Sequence, residues 1–333
     1  MRSNRPWMVQ TVEQYLFIYD CVLEWAQCRD TFIPSIDFVK RANMSDVAER
    51  RQKELKAIET LIPSMAELRQ TKGKAENNKE KNRSEEILPQ DGARVILQRE
   101  DTENNYINAS FMDGFIKPNE FITTQIPFKS TKQDFWEMVY EYDITTIVLL
   151  DDGTESQDDI PYWPERSEDL AYGSIRIHFE VEENEEFFVK RTFTIHHEED
   201  KDEVQCVFHY HLSQLPSMQG SLTLLDPVCE VLKEIGAGKT KALDDGLTCI
   251  QCLDGAKVTG VFVACKICID QMELENGTDV FQAVKSLRKV QPKMVDNERQ
   301  YNLIFRILER FIEKKGSEEV QYANYRKTST CAE

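Results

Sequence analysis

The chain has 333 residues, 41% of them hydrophobic, which is enough to build a sizeable core and argues against a disordered tract. Its formal net charge of -18 argues against a nucleic-acid binder, because phosphate backbones demand a basic face. No run of 18 apolar residues occurs and the N-terminal MRSNRPWMVQ lacks the apolar centre of a signal peptide, so the expectation is a soluble chain with no transmembrane segment. Nine cysteines, several inside apolar patterns, point to reduced thiols in a cytosolic setting.

The two ends of the chain repeat each other. Between Arg5–Trp25 and Gln291–Phe311, Pro6, Met8, Val9, Gln14, Tyr15 and Ile18 match Pro292, Met294, Val295, Gln300, Tyr301 and Ile304. Each segment reads as an amphipathic helix entered after a proline. One repeated segment is not a solenoid, and the simpler reading is the closing piece of one domain followed by a complete second copy. Ser45 to Leu61 is helical in composition, with Ser45 as cap, and the polar basic run Lys72 to Arg83 reads as a solvated loop. Tyr106–Ser110 and Phe121–Pro127 alternate apolar and polar residues like paired strands, and Thr145–Leu150 reads as a buried strand. Asp and Glu crowd Asp151 to Glu203, a solvated acidic surface. Val204 to His211 is a strand with His209 and His211 on one face; a third metal ligand is missing from the pattern, so no metal site is expected. Gly236 to Thr240, GAGKT, lacks the earlier glycine of a nucleotide-binding loop, where Lys233 stands, and follows a helix pattern; it reads as a surface loop.

The rest is organised around Leu247–Gln271, LTCIQCLDGAKVTGVFVACKICIDQ. A buried strand delivers Cys252 to a tight loop containing Gly255, and a buried helix begins near Thr259. Such a loop turns its N–H groups inward and the helix dipole adds positive potential, which makes an anion cradle. A thiol placed there is a candidate nucleophile. Cys249, Cys252, Cys265 and Cys268 also form two Cys-x-x-Cys pairs, but on strand and helix patterns rather than knuckle turns; they read as buried thiols, with a Cys249–Cys252 redox pair as the alternative.

Gln251, Cys252, Gly255, Thr259 and Gly260 stand where the protein tyrosine phosphatases carry His, Cys, a central glycine, Ser or Thr, and Gly, and the segment resembles that family's signature. Two positions depart from it: Gln251 replaces the histidine and Val258 the arginine. Lys81-Asn82-Arg83 is similar to the family's phosphotyrosine-gripping loop, with Ser84 where a stacking tyrosine belongs. Tyr106–Ser110, Phe121–Pro127 with Ile126 for a glycine, the Thr131–Met138 helix start, Tyr162-Trp163-Pro164 and Tyr172-Gly173 follow in the family's order.

The resemblance implies an α/β fold, a twisted mixed sheet flanked by helices. It places Cys252 at the nucleophile position and Lys81, Asn82, Arg83, Asp254, Gly255, Lys257 and Thr259 around the substrate, with no metal or cofactor. It puts Leu215 where the general acid belongs and Asp296 where a glutamine orients water, so the expectation is an inactive phosphatase, acting by regulation or partner binding; the alternative is an active or weakly active hydrolase using Cys252. The end repeat resembles receptor-type tandem phosphatases. It implies residues 1–27 as the last helix of a preceding domain, 28–50 as linker, 51–314 as the membrane-distal domain and 315–333 as a polar tail. The implied partners are the proximal domain, phosphotyrosine proteins, and an adaptor at Tyr322, which has Asn324 two places on. The implied location is the cytoplasmic side of a plasma-membrane receptor.

Overall fold

The structure, a computed structural model, describes residues 4–42, 44–99, 104–151, 160–166, 168–213, 225–239 and 246–329. The chain opens with α1 (Val12–Cys28), β1 (Ile33–Pro34), α2 (Ser35–Ala42) and α3 (Val47–Leu61), followed by a 3₁₀ turn over Glu76–Lys81. Then come β2 (Arg94–Ile96), β3 (Tyr106–Met112), β4 (Phe121–Gln125), α4 (Lys132–Glu141), β5 (Ile144–Leu150), β6 (Asp169–Tyr172), β7 (Ile175–Asn184), β8 (Val189–His197) and β9 (Asp200–Leu212). The C-terminal part is α5 (Leu225–Lys239), β10 (Leu247–Cys252), α6 (Lys257–Glu275), β11 (Gly277–Thr278), α7 (Val280–Val290) and α8 (Glu298–Ser329).

Nine strands form one mixed sheet in the order β2-β3-β4-β10-β5-β9-β8-β7-β6. β4, β10, β5 and β9 run parallel in its middle, and antiparallel strands complete both sides. The expected α/β architecture is present. β10 lies at the centre, which explains why its residues from Thr248 on are buried on both faces. One hydrophobic cluster, containing α6, α7 and α8, covers one face; a second, built on Trp136, Phe135, Tyr162 and Phe193, covers the other. From Thr259 to Ile269 every residue of α6 is buried, including Lys266, which pairs with Asp270, as expected of a central helix.

The expected strands over Tyr106–Ser110 and Phe121–Gln125 pair antiparallel, with Ala109 opposite Thr124. Their alternation does not divide core from water, however: both faces are buried. The polar face lies beneath the Lys72–Arg83 segment, which is solvated on one side, with Lys72, Lys74, Glu76, Asn77, Lys79 and Glu80 exposed, and docked on the other: Asn78 is buried, Gln125 accepts from Arg83 N and Asn108 donates to Asn82 Oδ1. Two local expectations also change. The N-cap of α3 is Asp46, not Ser45, and neither supplies a side-chain cap. Gly236–Lys239 close α5 as helix rather than loop, because the run continues its helical pattern; Thr240 lies outside the described residues.

Of α1, the last residue, Cys28, packs against the first cluster. None of the helix's residues is buried, and it is fastened to the domain by Glu24, whose carboxylate meets Lys285 Nζ at 2.6 Å and Gln282 Nε2 at 2.5 Å. Among the described residues no helix is long and apolar enough to cross a membrane.

Candidate active site

β10 carries Cys252 to its C-terminal end, where the chain bends through Leu253–Ala256 before α6 begins at Lys257. Gly255 makes this turn possible. Its φ is +73°, and a Cβ there would lie 2.6 Å from Gln125 N and 2.7 Å from Thr124 C, so only glycine lets the loop rest on β4. The loop is pinned to that strand by Ile126 N, which donates to Cys252 O at 3.0 Å.

The cradle contains its own anion. Asp254 Oδ1 accepts from Ala256 N at 3.0 Å and Lys257 N at 3.1 Å, and Cys252 Sγ donates to it at 3.4 Å. Lys257 Nζ closes on Asp254 Oδ2 at 3.0 Å. Burial raises the Asp254 carboxyl, but the two amides and the lysine outweigh it and hold the group below the usual carboxylate range. The first-turn amides of α6, the natural donors to a phosphate, thus bond a fixed carboxylate.

That carboxylate affects the thiol. Burial first, and then the Asp254 charge, push Cys252 up to about 11, against a smaller opposing pull from Thr259. The thiol is 3% exposed. Val258, which the resemblance sets at the arginine position, is a half-buried side chain packed on the core around α6 and has no polar atom to offer. Asp296, which the resemblance sets at the water-orienting position, lies close enough to raise the Lys257 ammonium after Asp254 has done so. Leu215, which the resemblance sets at the general-acid position, lies outside the described residues.

Lys81, Asn82 and Arg83 do come to this edge of the sheet, but their functional groups are engaged in the protein. Lys81 Nζ donates to Asp134 Oδ2 (2.9 Å), Tyr106 O (3.1 Å) and Asn104 Oδ1 (3.2 Å). Asn82 accepts from Tyr106 Oη at 2.6 Å and donates to Gly73 O and Asn78 O. Arg83 donates through Nε and Nη2 to Ile126 O, at 3.2 and 3.0 Å, with its guanidinium 4.2 Å from the Phe128 ring centroid. Ser84 accepts from Glu86 N. Ile126 therefore links the basic segment to the Cys252 loop. Gln125 is the hub the sequence did not reveal: it accepts from Arg83 N and Asn108 Nδ2 and donates to Lys81 O. The available signal was a polar residue closing a strand, FITTQ, whose polar residues are all buried.

Beneath the loop, Gln251 takes a bond from Tyr162 Oη at 2.5 Å, and His209 Nε2 lies 3.3 Å from the same hydroxyl. Burial, then His211 and Arg191, hold His209 well below its ordinary value, so its imidazole is neutral. His211 is spent on Asp151 at 3.3 Å, and no metal-holding group of three donors occurs among the described residues. Cys249 and Cys252, three apart on β10, face opposite sides of the sheet and belong to different clusters. That removes both the redox pair and the four-cysteine zinc arrangement. Cys265 and Cys268 are buried in α6.

A buried cysteine on the central parallel strand is delivered to a glycine turn at the head of a core helix, the arrangement that the resemblance to the tyrosine phosphatases implied. Comparison with known proteins makes the assignment: the family model for protein-tyrosine phosphatase matches residues 78–310, and this chain belongs to that family. It is similar to receptor-type tyrosine-protein phosphatase U of Gallus gallus, 30% identical over 329 residues, which cover 93% of this chain and 22% of that protein. It is also similar to receptor-type tyrosine-protein phosphatase zeta of Rattus norvegicus, 28% identical over 318 residues (92% and 14%), and F of Homo sapiens, 31% over 315 residues (92% and 16%). The chain therefore spans less than a quarter of the length of these relatives.

Proposed function

We propose that this is a catalytically impaired phosphatase domain, the membrane-distal one of a receptor-type phosphatase on the cytoplasmic side of the plasma membrane, acting by regulation and binding rather than hydrolysis. The observation that carries the reading is the Asp254 carboxylate seated on the loop amides beside a valine at the arginine position. A phosphate brought there meets a fixed negative charge, and two unit charges about 4 Å apart repel by roughly 4 kcal/mol at an effective dielectric of 20. Losing one preorganised donor of the arginine kind costs roughly 2.7–4 kcal/mol, and losing a general acid costs on the order of a hundred- to ten-thousand-fold in rate. These losses do not add simply, but each acts in the same direction.

The rival reading, a weakly active hydrolase with Lys257 as phosphate cation, is disfavoured because that ammonium is already held by Asp254. Partners are then expected at other surfaces: the proximal domain, and an adaptor at a phosphorylated Tyr322. The α8 backbone runs through Tyr322, whose side chain lies outside the description.

The test is titration of the chain with a phosphotyrosyl peptide by calorimetry, with Asp254→Ala alongside. No binding heat is expected from the parent chain, and weak heat from the variant. Micromolar binding by the parent chain would show that the cradle is open and sink the reading.

A further inference from the structure

We propose that His209 is an acid-sensitive lock: neutral and protonated on Nε2, it closes a buried hydrogen-bond chain through Tyr162 to Gln251, the residue before Cys252, and it admits a second proton only when this part of the fold opens. The lock lies on the face of the sheet away from Cys252 and is independent of the impaired site.

The sheet register brings its members together. His209 shares a row across the sheet with Arg191, Ile147 and Cys249, and the next row on the same face holds His211, Leu149 and Gln251. Over these rows the chain lays Tyr162 and Trp163, entered through Pro161 and left through Pro164. Trp136 Nε1 holds that segment by donating to Tyr162 O at 2.9 Å. His209 is fully buried, in a cage of rings whose centroids lie 4.8 Å (Trp163), 5.9 Å (Phe193) and 6.1 Å (Tyr162) away.

The hydrogens in the chain can be counted. Tyr162 Oη has one, and at 2.5 Å it goes to Gln251 Oε1, which can only accept. The hydroxyl oxygen is then left to accept from His209 Nε2 at 3.3 Å, which puts the imidazole proton on Nε2. His209 Nδ1 keeps a bare lone pair, with no hydrogen-bond partner among the described residues. A second proton would have to sit there, in a fully buried ring, facing no acceptor.

The neighbouring charges add to that cost. Facing His209 are Arg191 from β8 and His211 from its own strand, and the carboxylates that reach them are committed. Glu182 accepts from Arg191 Nε at 2.9 Å and Arg166 Nη2 at 2.7 Å, and Asp151 lies 3.3 Å from His211 Nε2. The Arg191 guanidinium lies 4.8 Å from the centroid of Trp163, the ring that His209 packs against. β10 brings the Cys249 thiol and the covering segment the Tyr162 phenol, both pushed up by burial and so uncharged. β5 brings Ile147 and Leu149, and α4 the rings of Phe135 and Trp136, which meet Tyr162. Burial, then His211 and Arg191, hold the imidazole well below its ordinary value of 6.5. The unfolded chain takes up this proton as pH falls through 6.5 and the folded chain does not, so stability is lost from there downward.

The experiment uses the whole chain, with its five histidines labelled with nitrogen-15 in the ring and the His209 signals assigned by their loss in His209→Phe. From pH 7.5 to 5.5 the folded chain should keep His209 in the neutral form with its proton on Nε2. Tyr162→Phe, which removes the acceptor, should turn it into a mixture of the two neutral forms. In urea unfolding over the same interval, the unfolding constant of the parent should rise about tenfold more than that of His209→Phe. Should that variant fail to fold, His209→Gln, which takes no proton and keeps a donor for Tyr162, replaces it in both measurements. A proton on Nδ1, a folded His209 that titrates near 6.5, a form that Tyr162→Phe leaves unchanged, or equal pH dependence in parent and variant would each overturn the proposal.

Discussion

At pH 7.5, iodoacetamide is expected to alkylate Cys252 about a hundredfold more slowly than an unperturbed cysteine peptide, because only the thiolate reacts. The thiol is raised from 9.0 to about 11, and at a pH below both values a rise of about two units leaves about one hundredth of the thiolate. The rate should climb about tenfold per pH unit until close to 11 and then level. Burial supplies most of the shift, and the Asp254 carboxylate adds to it by charge and by accepting from the sulfur. Asp254→Asn removes the charge, so alkylation at pH 7.5 should quicken while the protein remains folded. Peptide mapping by mass spectrometry reads both rates. A parent rate equal to or above that of the free peptide would mean a primed nucleophile, which the account does not allow.

Gly255→Ala should be among the most damaging single substitutions in the chain. The added methyl would meet backbone, not a side chain that can swing away: Gln125 N at 2.6 Å, Thr124 C at 2.7 Å and Thr124 O at 3.0 Å. It would also hold alanine at a φ of +73°, in the left-handed region. Left-handed backbone costs about 1–2 kcal/mol and overpacking typically about 1–3 kcal/mol more. The expected loss is therefore about 2–5 kcal/mol, a fall in Tm on the order of 5–15 °C by differential scanning calorimetry. A Tm within about 1 °C of the parent would show that the loop does not rest on β4 as described.

Much of this was legible in the sequence because the central elements leave strong patterns. β10 and the first part of α6 are rich in apolar residues, since neighbours bury Thr248–Cys252 and Thr259–Ile269. The end repeat could be read residue by residue. The polar positions were harder. Asn108 and Gln125 alternate with apolar neighbours as a solvent-facing strand does, and periodicity cannot tell water from a covering loop. Lys81 and Arg83 look like substrate groups because they are basic, yet their donors are used on Asp134 and Ile126. The resemblance set Asp254 among the residues around the substrate. That it would take the loop amides for itself depends on a side-chain conformation, which spacing alone does not fix.

The most direct test is turnover of para-nitrophenyl phosphate by the purified chain beside its Cys252→Ser variant. The account predicts equal rates for the two, both at the level of buffer with denatured protein. Turnover by the parent chain that disappears in Cys252→Ser would contradict it, and would make Lys257 the residue that replaces the missing arginine.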